Sequence, residues 1–235
     1  SRYPHLTYRY LRKRRSELPG QVRHVLSLSQ DCLQSSPITF GMPDTMPENS
    51  NITPWVVLKF GGTSVSQKHR WDTIGRLIRE RAGQEQVRVL VVVSALSGVT
   101  NQLQSLIDRA DDESFLAETC RQLTDRHLKF ARELGVPEQV VSERLAQLQE
   151  LLTDARRVSR AFDWQAEVLS QGELLSSALG VAYLQSQQTP VAWLDARDWL
   201  RAIPAPNQSP WAARLSVSCE YNSDAAWRAR FDRKP

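Results

Sequence analysis

Apolar residues follow two rhythms that alternate along the chain from Trp55 onward. Trp55, Val56, Val57, Leu58 and Phe60 form a run rich in β-branched and aromatic residues, too short for an average helix, and predict a buried strand with Lys59 near its end. From Gln67 the spacing lengthens to three and four: Trp71, Ile74, Leu77 and Ile78 share one face, arginines and glutamate lie opposite, and Gly83 supplies a stop. Val87 to Val93 (VRVLVVV) returns to a near-continuous apolar run, the pattern of a strand buried on both faces of a parallel sheet. Strand, helix and strand make a βαβ unit. A further helix follows on Val99, Leu103, Leu106 and Ile107.

Residues 112–163 read as a helical insertion, a hairpin capping the sheet. Phe115, Leu116, Leu123, Phe130 and Leu134 form one amphipathic segment, Gly135-Val136-Pro137 breaks it, and Val140, Val141, Leu145, Leu148, Leu151 and Leu152 form a second. Its charges, among them Arg121, Asp125, Arg126 and the Arg156-Arg157 pair, alternate in sign as on a solvated face. Trp164 through Gln188 predicts another helix, interrupted at Ser170-Gln171-Gly172-Glu173. Pro190 to Leu194 (PVAWL) follows as a third strand, and Leu215 to Cys219 is the strand candidate of the proline-bearing end. The class is α/β, a three-layer α/β/α arrangement on a mainly parallel sheet, incomplete at its C-terminal side.

Charge changes the picture only at the N-terminus. The net charge is +4, but residues 1–24 carry seven basic side chains and one acid, so the body is mildly acidic. LRKRR at Leu11–Arg15 is either a nucleic-acid or membrane-surface patch or a solvated tail; the tail reading leaves neither nucleic acid nor membrane as a partner. Residues 1–53 are expected to be a disordered basic extension and linker, which a start at Met42 or Met46 would largely remove, and 54–235 the folded domain. Cys32, Cys120 and Cys219 lie far apart, the four histidines form no ligand cluster, and no apolar run approaches the ~20 residues of a membrane span. A reduced, cytoplasmic setting without a protein-held metal is the expectation.

Candidate chemistry gathers where strands end. Gly61-Gly62-Thr63-Ser64 directly follows the strand bearing Lys59. Adjacent glycines let backbone N–H groups approach an anion closely, Thr63 and Ser64 add hydroxyl donors, and the next helix would aim its positive end at the same place. The pattern is not Walker A, since the lysine precedes the glycines; the alternatives are a phosphate loop and a solvated strand edge. Ser94 to Asn101 leaves the second strand on the same sheet edge, where ligands of open parallel sheets sit. Ser94 and Thr100 are either ligand contacts or turn and cap residues. Gly172 inside a helical pattern costs ~1 kcal/mol relative to alanine and implies a packing or access reason. Beside it, Glu173 is either an exposed helix glutamate or the partner of a substrate ammonium.

Together, LKFGGTS at Leu58–Ser64, VVVSALSGVTN at Val91–Asn101 and SQGELLSSALGVAYL at Ser170–Leu184 resemble the ordered signature blocks of aspartokinases, in the amino-acid kinase family with its carbamate kinase-like fold. LSVSCEYNSDAAWRARFD at Leu215–Asp232 is similar to the kinase part of bifunctional aspartokinase/diaminopimelate decarboxylases. The resemblance implies transfer of the γ-phosphoryl of ATP, with Mg²⁺, to the side-chain carboxylate of L-aspartate, giving 4-phospho-L-aspartate for lysine, threonine and methionine synthesis. It implies Lys59 on the transferring phosphoryl group, and Gly61, Gly62, Thr63 and Ser64 around phosphate oxygens. Ser94 and Thr100 would contact aspartate or the incoming phosphoryl, Glu173 would hold the aspartate ammonium, and the full-length enzyme would be a homo-oligomer.

Aspartokinases continue with ITQGF-like and GRGGSD-like blocks, adenine-binding strands and ACT domains, none of which occurs in these 235 residues. The chain is therefore expected to be the first half of a kinase domain, without turnover by itself. The alternatives are another amino-acid kinase, for acetylglutamate or glutamate, and a noncatalytic fragment that pairs with another chain through its unfinished sheet edge.

Overall fold

The computed structural model describes residues 22–24, 53–203, 207, 209–215 and 218–221. The basic LRKRR stretch, Met42 and Met46 lie outside the described residues, as does most of the Leu215–Asp232 block. Strands β1 (Val22–His24), β2 (Trp55–Phe60) and β3 (Arg88–Val93) form a parallel sheet in that order, Val22 opposite Trp55 and Trp55 opposite Arg88. The extension read as free of regular structure thus contributes an edge strand. Side chains alternate across a pleated sheet. Val56 and Leu58 are buried with their register partners Val89 and Val91 packed beside them, whereas Val57, Leu90 and Val92 stand half-buried on the opposite face with Lys59. β3 is half-buried along its whole length, less enclosed than its unbroken apolar run implied.

The connection from β2 to β3 is a single turn, α1 (Gly62–Val65), then α2 (Lys68–Gln84). Trp71 of α2 is buried, and its indole N–H finds the Val65 carbonyl at 2.9 Å, so the largest apolar side chain of the helix also has its polar atom satisfied. α3 (Val99–Asp108) follows β3. The predicted hairpin forms as α4 (Glu113–Leu134) and α5 (Gln139–Thr153), with Asp112 capping Phe115 N–H at 3.0 Å and Gly135 ending α4 in the left-handed region at φ 73°. It packs mainly on helices, α4 against α3 and α5 against α6 (Phe162–Ser186). Leu103, Leu123, Leu148, Leu175 and Leu179 lie in the common core, each worth roughly 1.5–3 kcal/mol of burial. His127 of α4 is buried there, its Nδ1 2.7 Å from Leu123 O, and burial pushes the imidazole toward the neutral form.

The insertion's charges do more than face water. Arg156 donates to Asp154, Asp163 and Glu167, Arg157 to Glu113 and the Ala110 carbonyl, and Arg160 to Asp111 and the Ile107 carbonyl, fastening the turn before α6 to α3 and α4.

Two predicted features differ. α6 runs through Ser170–Glu173 without interruption. Pro190–Leu194 is not a strand. Gln188 turns the chain at φ 56°, Gln185 donates to the Val191 carbonyl, and Trp193 donates to Ser177 Oγ at 3.0 Å, so side chains of α6 hold this segment along the helices. α7 (Ala196–Trp199), β4 (Leu200–Ile203), α8 (Pro210–Leu215) and β5 (Ser218–Tyr221) follow. β4 pairs antiparallel with β5, and the Leu215–Cys219 candidate divides between α8 and β5.

Candidate functional site

Three sequence-distant segments meet at the carboxyl ends of β2 and β3. Lys59 reaches the edge at the end of β2. A Cβ built on Gly61 would lie 3.9 Å from its Nζ, so the ammonium hangs over the glycine turn. Ser64 and Val65 donate back to the Gly61 carbonyl at 2.9 and 3.2 Å. Among the described residues, the Gly62 and Thr63 N–H groups have no such acceptor. Helix α1 is too short to carry the dipole expected at this point; α2, which does have the length, begins only at Lys68. The turn presents the Lys59 ammonium, the Gly62 and Thr63 N–H groups and the hydroxyls of exposed Thr63 and half-buried Ser64.

The second loop lies directly against the first. Ser94 N–H bonds the Phe60 carbonyl at 3.1 Å, continuing the ladder past the end of β2. A Cβ on Gly62 would sit 2.8 Å from the Ala95 carbonyl and 3.2 Å from Ser97 N, so the approach of the loops requires glycine here. The third segment comes from α6. A Cβ on Gly172 would fall 2.7 Å from Ala95 Cβ, which is the packing reason for that mid-helix glycine. One residue on, the Glu173 carboxylate accepts Ala95 N–H at 3.3 Å, and burial pushes its carboxyl above the ordinary glutamate range. A desolvated carboxylate at a sheet edge can pair with an incoming cation.

The structure thus brings Lys59, Gly61, Gly62, Ser94 and Glu173 to one place. Thr63 and Ser64 lie on the same turn. Thr100 sits in the first turn of α3, exposed, beyond the loop that carries Ser94.

Residues that the sequence did not single out as site candidates also hold these loops. Ser176 donates to the Ser94 carbonyl at 2.6 Å, Arg126 to the Ser97 carbonyl at 2.5 Å, and Ser66 accepts Ser97 N–H at 2.7 Å. Arg126, read as part of a solvated face, is therefore a contact of the second loop. Ser176 follows Glu173 at helical spacing, a signal that could have placed it on the same face; nothing in the pattern marks Ser66 or Arg126. Among the described residues no group of three or more His, Cys, Asp or Glu could hold a metal ion, and no helix is long and apolar enough to cross a membrane.

Residues 54–231 match the family model described as the amino acid kinase family. The chain is 34% identical over 166 residues to the aspartokinase of Chlamydia trachomatis serovar D, covering 66% of this chain and 36% of that protein. Over 174 residues it is 30% identical to the chloroplastic bifunctional aspartokinase/homoserine dehydrogenase 1 of Arabidopsis thaliana, 68% of this chain and 19% of the relative. Among solved structures it is similar to E. coli aspartokinase III in complex with aspartate and ADP in the R-state, with a TM-score of 0.54 and 26% identity over 68% of this chain and 36% of that one. The chain spans well under two thirds of each of these proteins. With three motif-bearing segments converging at the end of a parallel sheet, and a family match over most of its length, the chain belongs to the amino acid kinase family.

Proposed function

We propose that this chain is the N-terminal part of an aspartokinase catalytic domain, 54–235, acting in transfer of the γ-phosphoryl of ATP to the side-chain carboxylate of L-aspartate. The observation that carries the reading is the placement of opposite charges at one sheet edge: the Lys59 ammonium over the glycine turn, and the Glu173 carboxylate against the loop that follows Ser94, accepting Ala95 N–H. A phosphate chain fits the first and an amino acid's ammonium the second. The relatives' names, and the aspartate and ADP of the solved aspartokinase III, support the same substrates.

Phosphoryl transfer needs little covalent help, so the protein's part is alignment and charge neutralisation. Lys59 would neutralise the transferring group, while the Gly62 and Thr63 N–H groups and the Thr63 and Ser64 hydroxyls would donate to phosphate oxygens. Ser94 and Thr100 would contact the acceptor carboxylate, which is ionised at neutral pH and needs no general base. Mg²⁺, when bound with ATP, would be carried largely on the phosphates and would offset their charge. The product, 4-phospho-L-aspartate, places the protein at the entry to lysine, threonine and methionine synthesis, in the cytoplasm, with the complete enzyme a homo-oligomer.

The test is ligand-observed NMR on the purified chain with L-aspartate, L-glutamate and N-acetyl-L-glutamate. L-Aspartate is expected to bind, and to lose binding in Glu173→Gln. N-acetyl-L-glutamate lacks the ammonium that Glu173 would meet; preferential binding of it would overturn the assignment in favour of an acetylglutamate kinase.

A further inference from the structure

Ser66 lies just past the glycine turn, half-buried, and its hydroxyl makes two bonds at once. It donates to the Gly62 carbonyl at 2.6 Å and accepts the Ser97 N–H at 2.7 Å. The first bond alone has an ordinary explanation, since serine hydroxyls routinely satisfy the carbonyl four residues back in helical turns. The second does not follow from helix chemistry, because Ser97 belongs to the other loop.

The consequence follows from peptide geometry. In a planar trans peptide the carbonyl of one residue and the N–H of the next point in opposite directions. Holding the Gly62 carbonyl toward Ser66 therefore turns the Thr63 N–H away from Ser66, and that donor is one of the two in α1 without an acceptor among the described residues. The same hydroxyl fixes the Leu96–Ser97 peptide, whose Leu96 carbonyl in turn accepts Val99 N–H at 3.0 Å to start α3. Arg126 holds the other side of Ser97 through its carbonyl. One oxygen atom thus sets the plane of a phosphate-directed amide and the position of the acceptor loop relative to it.

We propose that Ser66 is a positioning residue that couples the phosphate-binding turn to the acceptor loop. The role rests on the kinase reading above. Losing the hydroxyl frees the Gly62–Thr63 peptide to rotate and lets the two loops drift apart, while water can satisfy the half-exposed groups left behind.

The test uses the 235-residue chain, its Ser66→Ala and Ser66→Thr variants, and Mg²⁺-tripolyphosphate, which carries a phosphate chain without a base. Backbone amide NMR gives the exchange rate of Ser97 N–H and the affinity read at Thr63 N–H; thermal unfolding is followed in parallel. Ser66→Ala is expected to expose the Ser97 amide to at least tenfold faster exchange. It is also expected to weaken tripolyphosphate binding about tenfold, the scale of one lost hydrogen bond to a charged group, with the unfolding midpoint nearly unchanged. Ser66→Thr, which keeps the hydroxyl, is expected to restore both. Wild-type affinity in Ser66→Ala, or weakened binding that Ser66→Thr does not restore, overturns the positioning role and leaves the kinase reading standing. Failure of the unsubstituted chain to bind tripolyphosphate overturns both.

Discussion

Gly180 offers the sharpest quantitative test of how α6 supports the site. A Cβ placed there would lie 2.0, 2.5 and 2.8 Å from three ring carbons of Trp71. Carbon atoms in contact prefer 3.5–4.0 Å, so the indole or the helix would have to move by roughly 1.5 Å. Neither is free to do so: Trp71 is 2% exposed, and its Nε1 is held to the Val65 carbonyl at the end of the glycine turn. Overpacking a close-packed interior costs about 1–3 kcal/mol and occasionally more. The contact places Gly180→Ala at the upper end, with about 1 kcal/mol more if the indole hydrogen bond breaks. Alanine's better helix propensity returns about 1 kcal/mol. The net loss is therefore ~2–3 kcal/mol, or a fall in Tm of roughly 4–12 °C for a domain of this size. Circular dichroism melts read it directly. Gly83→Ala is the control: a Cβ there meets nothing within 4 Å, so the same exchange on α2 should leave Tm unchanged or raise it slightly. A Gly180→Ala chain as stable as wild type would refute the reasoning.

Other expectations concern the site itself. Lys59→Ala should weaken Mg²⁺-tripolyphosphate binding at least tenfold in calorimetry with little change in Tm, because among the described residues its ammonium makes no hydrogen bond or ion pair; a large loss of stability would show that the lysine is structural. For Glu173 the raised carboxyl means that, between the ordinary glutamate value of ~4.3 and its own, the folded chain keeps a proton that the unfolded chain has lost. Stability should accordingly fall as pH rises through that window, and Glu173→Gln should remove the slope. L-Aspartate binding should run the other way, weakening as pH falls and the carboxylate is protonated; parallel trends in the two measurements would contradict the assignment. Gly62→Ala should drive the two loops apart at the Ala95 carbonyl, losing ~1–3 kcal/mol of stability together with tripolyphosphate binding, and a crystal structure with unmoved loops would speak against it.

Much of this was legible in the chain because the signals were local. The β2–α2–β3 unit, the glycine turn after Lys59 and the helical hairpin follow from periods of two and 3.6 and from glycine and proline breaks. Gly172 announced a packing constraint by violating helix propensity, although only the fold shows that Ala95 is what it accommodates. PVAWL has the composition of a strand, but Gln185 and Ser177 of α6 supply competing partners for its Val191 carbonyl and the Trp193 indole. Side-chain hydrogen bonds across 6 and 16 residues leave no periodic trace. Ser66 and Arg126 were invisible for the same reason: their partners lie 31 and 29 residues away, and an arginine gripping a loop carbonyl looks in sequence like any solvated arginine.

Ala95 meets two such glycines at once, Gly62 through its carbonyl and Gly172 through its methyl. These positions lie 33 and 77 residues from Ala95 on either side, yet none of the three can grow without displacing another. Their substitutions should therefore be inherited as a set. A chimaera that takes the glycine turn from one family member and the Gly172 helix from another would be viable only where both parents keep small residues at all three positions. A crossover between residues 98 and 170 would then look silent by the chemistry of each parental motif and still produce a misassembled site.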